Sequence, residues 1–375
     1  MRTNAPTLPE SLQFAGSNYV LSGRRKLLYF GGCDYFRLSR HPAIVEALER
    51  GLRKYGMNVS ASRKTTGNHP LYLKVEKALA TFFDSPRAIL IGTGYMTNMV
   101  AAQALRGQFS HVFMDARSHP SLRDAARFLD CPILEFKHRN PADAGTVLKR
   151  CGPKATPLLC TDAMFSHDGS IAPLDRYLEV LSGRGKLLVD EAHSGGVIGA
   201  SGKGIAAHFG IASKEIIRTV TLSKAFGLYG GAILCDEETS RAILTRSPMF
   251  TGHTPLPLPI AHAVLSALRL LRTDRTIRER LHRNARLIDG SLYTSRNGCC
   301  EMPTPIASWV PNNGKAARRL KLALLRAGIH PPLIYYPGGP EHGYFRFMIS
   351  SEHTPAQIKL LVGVLQRHGA ALTGR

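Results

Sequence analysis

The chain has 375 residues, a length typical of two or three domains. Its hydrophobic fraction of 44% and charged fraction of 20% exclude collagen-like, coiled-coil and wholly disordered proteins. Lys and Arg number 49 against 27 Asp and Glu, and the formal net charge of +22 favours an anionic partner: nucleic acid, a membrane surface, a phosphorylated ligand or an acidic protein.

Two features of the sequence bear on the compartment. No uninterrupted apolar run reaches the ~20 residues that a membrane helix needs, so neither export nor a membrane span is expected. The 7 cysteines are scattered and form no Cys-x-x-Cys pair, which indicates neither a disulfide framework nor a zinc ribbon. The sequence therefore favours a reducing cytoplasm.

Two amphipathic helices are predicted near the N-terminus. The first begins at Pro42 and ends before Gly56, and the second begins at Pro70. Proline is favoured in the first turn of a helix, where its missing N–H has no intrahelical partner to lose, and glycine is favoured just after the last turn.

Short apolar runs alternate with helical patterns between residues 81 and 236. Most of these runs do not alternate with polar residues, as is typical of strands covered on both faces, and the order predicts a mostly parallel α/β sheet. The helices predicted between strands span 95–105 and 120–129. The predicted strands span 88–91, 111–114, 132–136, 157–160, 186–189, 217–222 and 231–235.

The C-terminal third has a different pattern. The proline-rich stretch 247–259 predicts an exit from the sheet domain, and one long helix is expected over 264–281, with many arginines that form either a solvated face or a docking surface. Helices over 315–327 and 354–367 predict a smaller α+β domain. The predicted divisions are an N-terminal segment, 1–50, that packs with the small domain, a large domain, 51–260, and the linking helix with the small domain, 261–375.

The densest cluster of chemically useful residues follows two of the predicted strands. One strand ends in Asp190-Glu191-Ala192-His193, and a second ends shortly before Lys224. The carboxyl edge of a parallel sheet is where ligands bind in open α/β folds. A lysine at such an edge is a candidate for Schiff-base chemistry.

Three other interpretations of Asp190 and His193 compete with this one. Asp-Glu-Ala-His also occurs in helicases, but the G-x-x-x-x-G-K-[ST] loop that those enzymes need is missing. No second histidine lies within one helical turn of His193, so no metal site is expected. The two side chains could also simply cap the loop that follows them.

Two further segments could hold a ligand. Gly92-Thr93-Gly94 joins a strand to a helix, where free N–H groups at the helix start can bind phosphate. His119 stands immediately before a helix, where a histidine is more often a solvent-facing or capping residue.

These segments, in this order, resemble the α-oxoamine synthase family of fold type I pyridoxal-phosphate (PLP) enzymes. The resemblance extends over residues 28–364 and is most specific over 165–174, 189–204 and 221–231. It implies a PLP-dependent transferase fold: a large domain with a mostly parallel seven-stranded sheet, and a smaller α+β C-terminal domain.

The resemblance also implies a role for individual residues. Lys224 carries the cofactor, Asp190 lies against the ring nitrogen and keeps it protonated, and His119 stacks on the ring. The remaining cofactor contacts that it implies are Gly94, Tyr95, Ser166, His193 and Thr221, with Thr254 reaching the phosphate from a neighbouring subunit. The contribution of Thr254 implies a homodimer.

The sequence departs from the family pattern at substrate positions. Arg37 stands in Asp34-Tyr35-Phe36-Arg37-Leu38 where the family has glycine, Tyr72 replaces a histidine, and Met348 replaces the second arginine of Arg-x-Arg. Arg346 remains the candidate for a bidentate grip on a substrate carboxylate.

The function implied is the decarboxylative condensation of an amino acid with an acyl thioester, on coenzyme A or an acyl carrier protein, to an α-amino ketone. Lys224 is expected to remove the α-proton. An aminotransferase or a retro-aldol lyase would use the same residues, so both stay open. A nucleic-acid-binding regulator on a PLP fold would need a DNA-binding module, and none is recognisable, so nucleic acid is not favoured.

Overall fold

The computed structural model describes residues 9–292, 302–336 and 339–368. The chain forms two compact units, of which the larger covers residues 33–279 and 302 and the smaller covers 9–32, 280–292, 303–336 and 339–368. The divisions at 50/51 and 260/261 that the sequence suggests stay a prediction.

The larger unit is built on a seven-stranded sheet of order β4-β10-β9-β8-β7-β5-β6. β5–β6, β5–β7, β7–β8 and β8–β9 pair in parallel, while β10 pairs antiparallel with both β4 and β9. All seven strands coincide with the predicted apolar runs, and the mostly parallel α/β sheet is confirmed. Its strands are β4 (Arg87–Ile91), β5 (His111–Asp115), β6 (Ile133–Phe136), β7 (Pro157–Asp162), β8 (Lys186–Asp190), β9 (Ile216–Thr221) and β10 (Gly231–Cys235).

Helices surround this sheet and supply its core. Apolar side chains of the strands pack with those of the helices that follow them, as Ile91, Val100, Leu122 and Ile217 show. These helices are α1 (Pro42–Tyr55), α2 (Pro70–Phe83), α3 (Gly94–Ala104), α4 (Pro120–Ala126), α5 (Pro141–Arg150), α6 (Leu174–Leu181), α7 (Ile205–His208), α8 (Glu237–Arg246), α9 (Pro248–Gly252) and α10 (Leu258–Thr273).

The smaller unit has its own core, in which Phe30, Leu324, Phe347 and Leu361 are buried. Its two three-stranded sheets have the orders β1-β2-β3 and β11-β13-β12. Its strands are β1 (Gln13–Phe14), β2 (Tyr19–Ser22), β3 (Arg25–Leu28), β11 (Ile306–Trp309), β12 (Leu333–Ile334) and β13 (Tyr344–Met348), and the helices that complete the chain are α11 (Arg275–Leu292), α12 (Gly314–Arg326) and α13 (Pro355–Arg367).

Three helices of the larger unit begin in the same way. His41, His69 and His119 each occupy the N-cap and accept a hydrogen bond from a backbone N–H of the first turn, and a proline follows each of them. The capping side chain satisfies one of the N–H groups that a helix start leaves without an intrahelical partner. These caps fix where each helix leaves its loop.

One predicted helix is wrong in extent. The single helix expected over 264–281 is interrupted at Asp274, whose backbone is extended and whose carboxylate accepts the N–H of Thr276 at 2.9 Å. The Asp274 side chain therefore caps the start of a separate helix, α11. The arginines of this region are also not all solvated, because Arg278 is buried and donates to the carbonyls of Ala200 and Leu271.

Across the described ranges of the chain, none of the helices combines the length and the apolar character that crossing a membrane would require.

Candidate active site

The carboxyl ends of the parallel strands bring the candidate residues to one edge of the sheet. Asp190 is the last residue of β8, Thr221 is the last residue of β9, and Asp162 ends β7, paired in register with Asp190. His119 follows β5 and Lys224 follows β9. This edge is the position at which open α/β sheets bind ligands.

Asp190 is held by hydrogen bonds to both of its carboxylate oxygens. The side-chain amide of Asn98 donates to Oδ2 at 2.8 Å, and the N–H of Ala192 donates to Oδ1 at 2.9 Å. The Asn98 carbonyl oxygen in turn accepts the hydroxyl of Thr219 at 2.7 Å, which fixes the orientation of the amide. The carboxylate is buried, so its position is set by these partners and not by solvent.

Lys224 ends a hydrogen-bonded chain that runs through His193 to Tyr35. The amine Nζ lies 2.9 Å from His193 Nε2, and His193 Nδ1 lies 2.7 Å from the Tyr35 hydroxyl. A charged Lys224 donates to Nε2, and the imidazole then donates from Nδ1 to the phenol oxygen. A neutral Lys224 accepts from Nε2–H while the phenol donates to Nδ1, so the chain accommodates both protonation states of the amine.

His119 combines a capping role with a place in the same network. Its Nδ1 lies 2.8 Å from the Ser121 hydroxyl and accepts the Ser121 N–H at 3.2 Å, and the Ser121 hydroxyl also accepts from Asn98 at 3.0 Å. Burial lowers the pKa of His119; Asp190 works against this shift and Lys224 adds to it. The imidazole is therefore neutral at neutral pH, with Asp190 and Lys224 close enough to affect it.

Asp162, at the end of β7, is a further acid at this edge of the sheet, and the sequence did not predict its role. Its Oδ2 accepts the backbone N–H of His119 at 2.8 Å, which fixes the start of α4. Burial first, and then the charge of Asp190, raise the pKa of Asp162 well above its usual range.

This raised pKa predicts how stability depends on pH. The folded protein holds the Asp162 proton more tightly than the unfolded chain does, so the free energy of unfolding should fall as the pH rises from about 4 through the folded-state pKa. In Asp162→Asn, whose amide oxygen can still accept the His119 N–H, this decline should be shallower. Urea unfolding of both proteins without cofactor, repeated across the pH range, measures this free energy. The same pH dependence in both proteins would contradict the raised pKa of Asp162.

The segment expected to hold a phosphate lies beside Thr221. A Cβ on Gly94 would come within 2.5 Å of Thr221 Oγ1, so only glycine lets the start of α3 approach this hydroxyl. Thr221 Oγ1 also lies 2.8 Å from the Ser223 hydroxyl. Tyr95 is exposed, and its hydroxyl donates to Asp124 at 2.6 Å. Thr254 is exposed, and its carbonyl lies 3.4 Å from the Cβ position of Gly92.

Glu191 keeps the strand end of β8 in place. It is buried and pairs with Arg218 of β9 through two contacts of 3.2 Å each. Gly204, at φ 92°, passes so close that a Cβ there would overlap the Glu191 carboxylate. A buried ion pair with this many partners orients the loop that carries His193.

Two further residues predicted for the site have intermediate exposure, each within its own unit. Ser166 is half-buried in the turn after β7, and Arg346 is half-buried in β13 of the smaller unit, opposite Ser308. Of the departures from the family pattern, Tyr72 is buried and donates its hydroxyl to the Leu256 carbonyl at 2.7 Å. Tyr72 therefore packs into the interior of the larger unit.

The reasoning from sequence missed several residues of the site, among them Asn98, Ser121 and Asp162. Asn98 carried a usable signal, because asparagine is disfavoured inside helices yet falls on the buried face of α3. Asp162 carried a weaker signal, as the acid that ends an otherwise apolar strand.

This donor set fits pyridoxal 5'-phosphate. Lys224 offers an amine for the aldehyde, Asp190 offers a buried carboxylate for a ring nitrogen, and His119 offers a neutral ring near both. The close approach of Gly94 to Thr221 leaves backbone and hydroxyl together at the start of a helix, the arrangement that suits a phosphate.

The comparisons with known proteins agree with this chemistry. The family model of aminotransferase class I and II matches residues 26–365. The 8-amino-7-oxononanoate synthases of Thioalkalivibrio sulfidiphilus and Stutzerimonas stutzeri are 31% and 34% identical, covering 94% and 93% of this chain and 93% and 89% of theirs.

Solved structures show the same similarity. A serine palmitoyltransferase from S. paucimobilis with bound PLP and myriocin superposes with a TM-score of 0.88 at 28% identity, over 97% of this chain and 94% of its own. An 8-amino-7-oxononanoate synthase from Francisella tularensis has a TM-score of 0.77 at 26% identity, over 92% and 98%. The resemblance found in the sequence is confirmed, with the fold type I architecture and PLP as cofactor. The chain is an enzyme that belongs to the aminotransferase class I and II family.

Proposed function

We propose that this enzyme condenses an amino acid with an acyl thioester, with loss of carbon dioxide, to give an α-amino ketone. The observation that carries the proposal is the meeting of Lys224, His193, Asp190 and His119 at one edge of the sheet. The names of the relatives support it: 8-amino-7-oxononanoate carries its amino and oxo groups on neighbouring carbons, and serine palmitoyltransferase joins an amino acid to an acyl group.

Bound PLP supplies a protonated ring that accepts the electrons left at Cα of an amino acid. Asp190 holds that proton on the ring nitrogen, because its carboxylate is fixed by Asn98 and Ala192 before any ligand arrives. His119 supports the ring plane. A charge that is already positioned needs no reorganisation during the reaction.

Lys224 has two tasks in this scheme. Its amine would hold the cofactor through the aldehyde, and the same amine, once free, would take the proton from Cα of the amino acid. The contact with His193 keeps Nζ at the edge of the sheet between these tasks. The electron pair left at Cα would then form the new carbon–carbon bond to the thioester carbonyl, and the thiolate would leave and take up a proton. The carboxylate of the amino acid would leave as carbon dioxide, and Cα would take a proton in its place.

The other cofactor contacts are assigned by the same proposal. His193 and Ser166 contact the ring substituents, while Gly94, Tyr95 and Thr221 bind the phosphate at the start of α3. Arg346 grips a substrate carboxylate through its planar guanidinium. The proximity of Gly94 and Thr221 supports the phosphate assignment most directly.

A homodimer is part of the proposal, with Thr254 reaching the phosphate of the neighbouring subunit. Exposed apolar side chains on the first two helices of the larger unit support it: Val45 and Leu52 lie two turns apart on α1, and Leu73 lies on α2. Large exposed apolar patches are typical of interfaces, and the spacing of Val45 and Leu52 places both on one side of α1. Sedimentation equilibrium of the holoenzyme tests this proposal. The mass of a dimer is expected, and the mass of a monomer would contradict it.

The proposal also covers the acyl donor and the cellular compartment. We propose a thioester on coenzyme A or on an acyl carrier protein, since the net charge of +22 suits either anionic carrier. If the carrier docks through charge, its apparent affinity should weaken steeply with salt. A cytoplasmic location is supported by the free thiols of Cys33, Cys131, Cys151, Cys160 and Cys235.

The proposed reaction is tested by thiol release. The holoenzyme is incubated with single amino acids and acyl thioesters of different chain length, and free thiol and carbon dioxide are measured together. Equal amounts of both, dependent on the amino acid, are expected. An aminotransferase would instead produce a keto acid without thiol release, and a retro-aldol lyase would release an aldehyde.

Removal of the Tyr35 hydroxyl should affect the reaction moderately. Tyr35→Phe keeps the ring but deprives His193 Nδ1 of its partner, at a cost of about 1–2 kcal/mol, or roughly tenfold in kcat. The pH profile of kcat should shift while the binding of PLP persists. An unchanged profile would show that His193 needs no partner at Nδ1.

A further inference from the structure

We propose that His138, His167 and Asp168 form a binding site for a divalent transition-metal ion of the zinc class, beside the cofactor site. One potential ligand atom of each residue lies within 4.8 Å of the other two. His138 follows β6, and the other two residues lie in the turn after β7. These segments are distant in the sequence, so spacing alone does not indicate the site.

His138 is prepared for this task by a buried acid. Its Nδ1 lies 2.8 Å from Asp115 Oδ1, and Asp115 is fully buried. The backbone N–H groups of Arg117 and Arg139 each donate to the same carboxylate at 2.9 Å. A histidine that donates from Nδ1 to a fixed carboxylate keeps the lone pair of Nε2 for a metal, as in carboxylate–histidine–zinc arrangements.

The other two donors are also oriented. Asp168 Oδ1 accepts the N–H of Ser170 at 2.9 Å, so Oδ2 is the oxygen on the side of His167, 3.5 Å from its Nε2. His167 Nε2 is buried and makes no hydrogen bond to any residue within the described parts of the chain. A buried nitrogen in this state costs free energy, which a metal ion would recover.

The donor chemistry selects the class of ion. Two imidazoles and one carboxylate suit Zn²⁺, Ni²⁺ or Cu²⁺, whereas Mg²⁺ and Ca²⁺ prefer oxygen ligands. Metal–ligand bonds of about 2.0–2.2 Å require the three atoms to close in by roughly 1 Å, within reach of small side-chain rotations. Arg117, whose guanidinium lies 3.5 Å from Asp168 Oδ2, is largely exposed and can leave when the ion enters.

The ion would join the strand end of β6 to the turn that contains Ser166. The rings of His138 and Phe165 already pack at nearly a right angle, with their centroids 4.4 Å apart. A metal bridge here would stiffen the turn beside the cofactor site, and because it binds only the folded protein it would raise the melting temperature.

Calorimetric titration of the PLP-loaded, tag-free enzyme with zinc chloride tests the proposal. One equivalent should bind, with Co²⁺ as a spectroscopic probe giving the visible bands of a four-coordinate site. His167→Ala and Asp168→Asn should weaken binding by more than about 10-fold, and Asp115→Asn, which alters the support of His138, by about 10–100-fold.

The matched control is His208→Ala, which removes an exposed histidine far along the sequence and should leave zinc binding unchanged. Circular dichroism of each variant establishes that it is folded. Binding of no zinc by the parent enzyme, or equal binding by the parent and His167→Ala, would overturn the site.

Discussion

Replacement of Lys224 by alanine is expected to abolish the covalent attachment of PLP and to lower kcat by about 10²–10⁴-fold through the lost proton transfer alone. The structure gives the reason: Nζ lies at the carboxyl edge of the sheet, hydrogen-bonded to His193 and near Asp190 and His119. The absorbance band of lysine-bound PLP reports the attachment. Borohydride reduction followed by peptide mass spectrometry should place the cofactor on Lys224 in the parent enzyme only.

Two further lysine variants sharpen this experiment. Lys214→Ala removes an exposed lysine and should change neither the band nor kcat. Lys224→Arg keeps a positive charge but offers no neutral amine, so it should lose the band as completely as alanine does. Retention of the band and of activity in Lys224→Ala would remove the basis of the proposed function.

Much of the sheet could be predicted from the sequence because most of its strands are buried on both faces. Every residue of β7, β9 and β10 is buried, and apolar residues follow one another directly over 158–160, 216–217 and 232–235. The direction of β10 could not be predicted, since an antiparallel strand that is buried on both faces has the same composition as its parallel neighbours. β10 lies between β4 and β9 and pairs with both, and β4 is far from β10 along the chain.

The helix break at Asp274 could not be predicted from hydrophobic periodicity. The apolar period continues from Leu268 through Ile277, so periodicity alone predicts one helix, whereas the side chain of Asp274 captures the N–H of Thr276. Arg278 was likewise assigned by its charge to a solvated or docking face. Its guanidinium instead donates to backbone carbonyls in the interior of the larger unit.

The site could be predicted only as far as its reactive groups. Lys224, Asp190 and His193 stand in recognisable motifs at strand ends, which is why they could be identified. Asn98 and Ser121 act through their orientation toward Asp190 and His119, and orientation depends on how α3 and α4 lie against the sheet. No local pattern carries that information.

Replacement of Asp190 by asparagine is expected to lower kcat by about 10²–10³-fold, the loss typical when one positioned electrostatic partner of the transition state is removed. Both Asp190 oxygens accept N–H donors, from Asn98 and Ala192. An asparagine has one acceptor oxygen, so its NH₂ group would have to face one of these donors. The variant should therefore lose both the charge proposed to hold the ring proton and the orientation of the side chain.

Lys224, the residue proposed to bind the cofactor, is untouched in Asp190→Asn, so the absorbance band of bound PLP should persist while kcat falls. Asp162→Asn serves as the matched control, because it removes a neighbouring carboxyl group from the adjacent strand and its amide oxygen can still accept the His119 N–H. A loss of less than about tenfold is expected there, since a single hydrogen-bond change is worth about 1 kcal/mol. Equal losses in the two variants would mean that the edge of the sheet needs carboxyl groups for its packing, and that Asp190 does not act on the ring nitrogen.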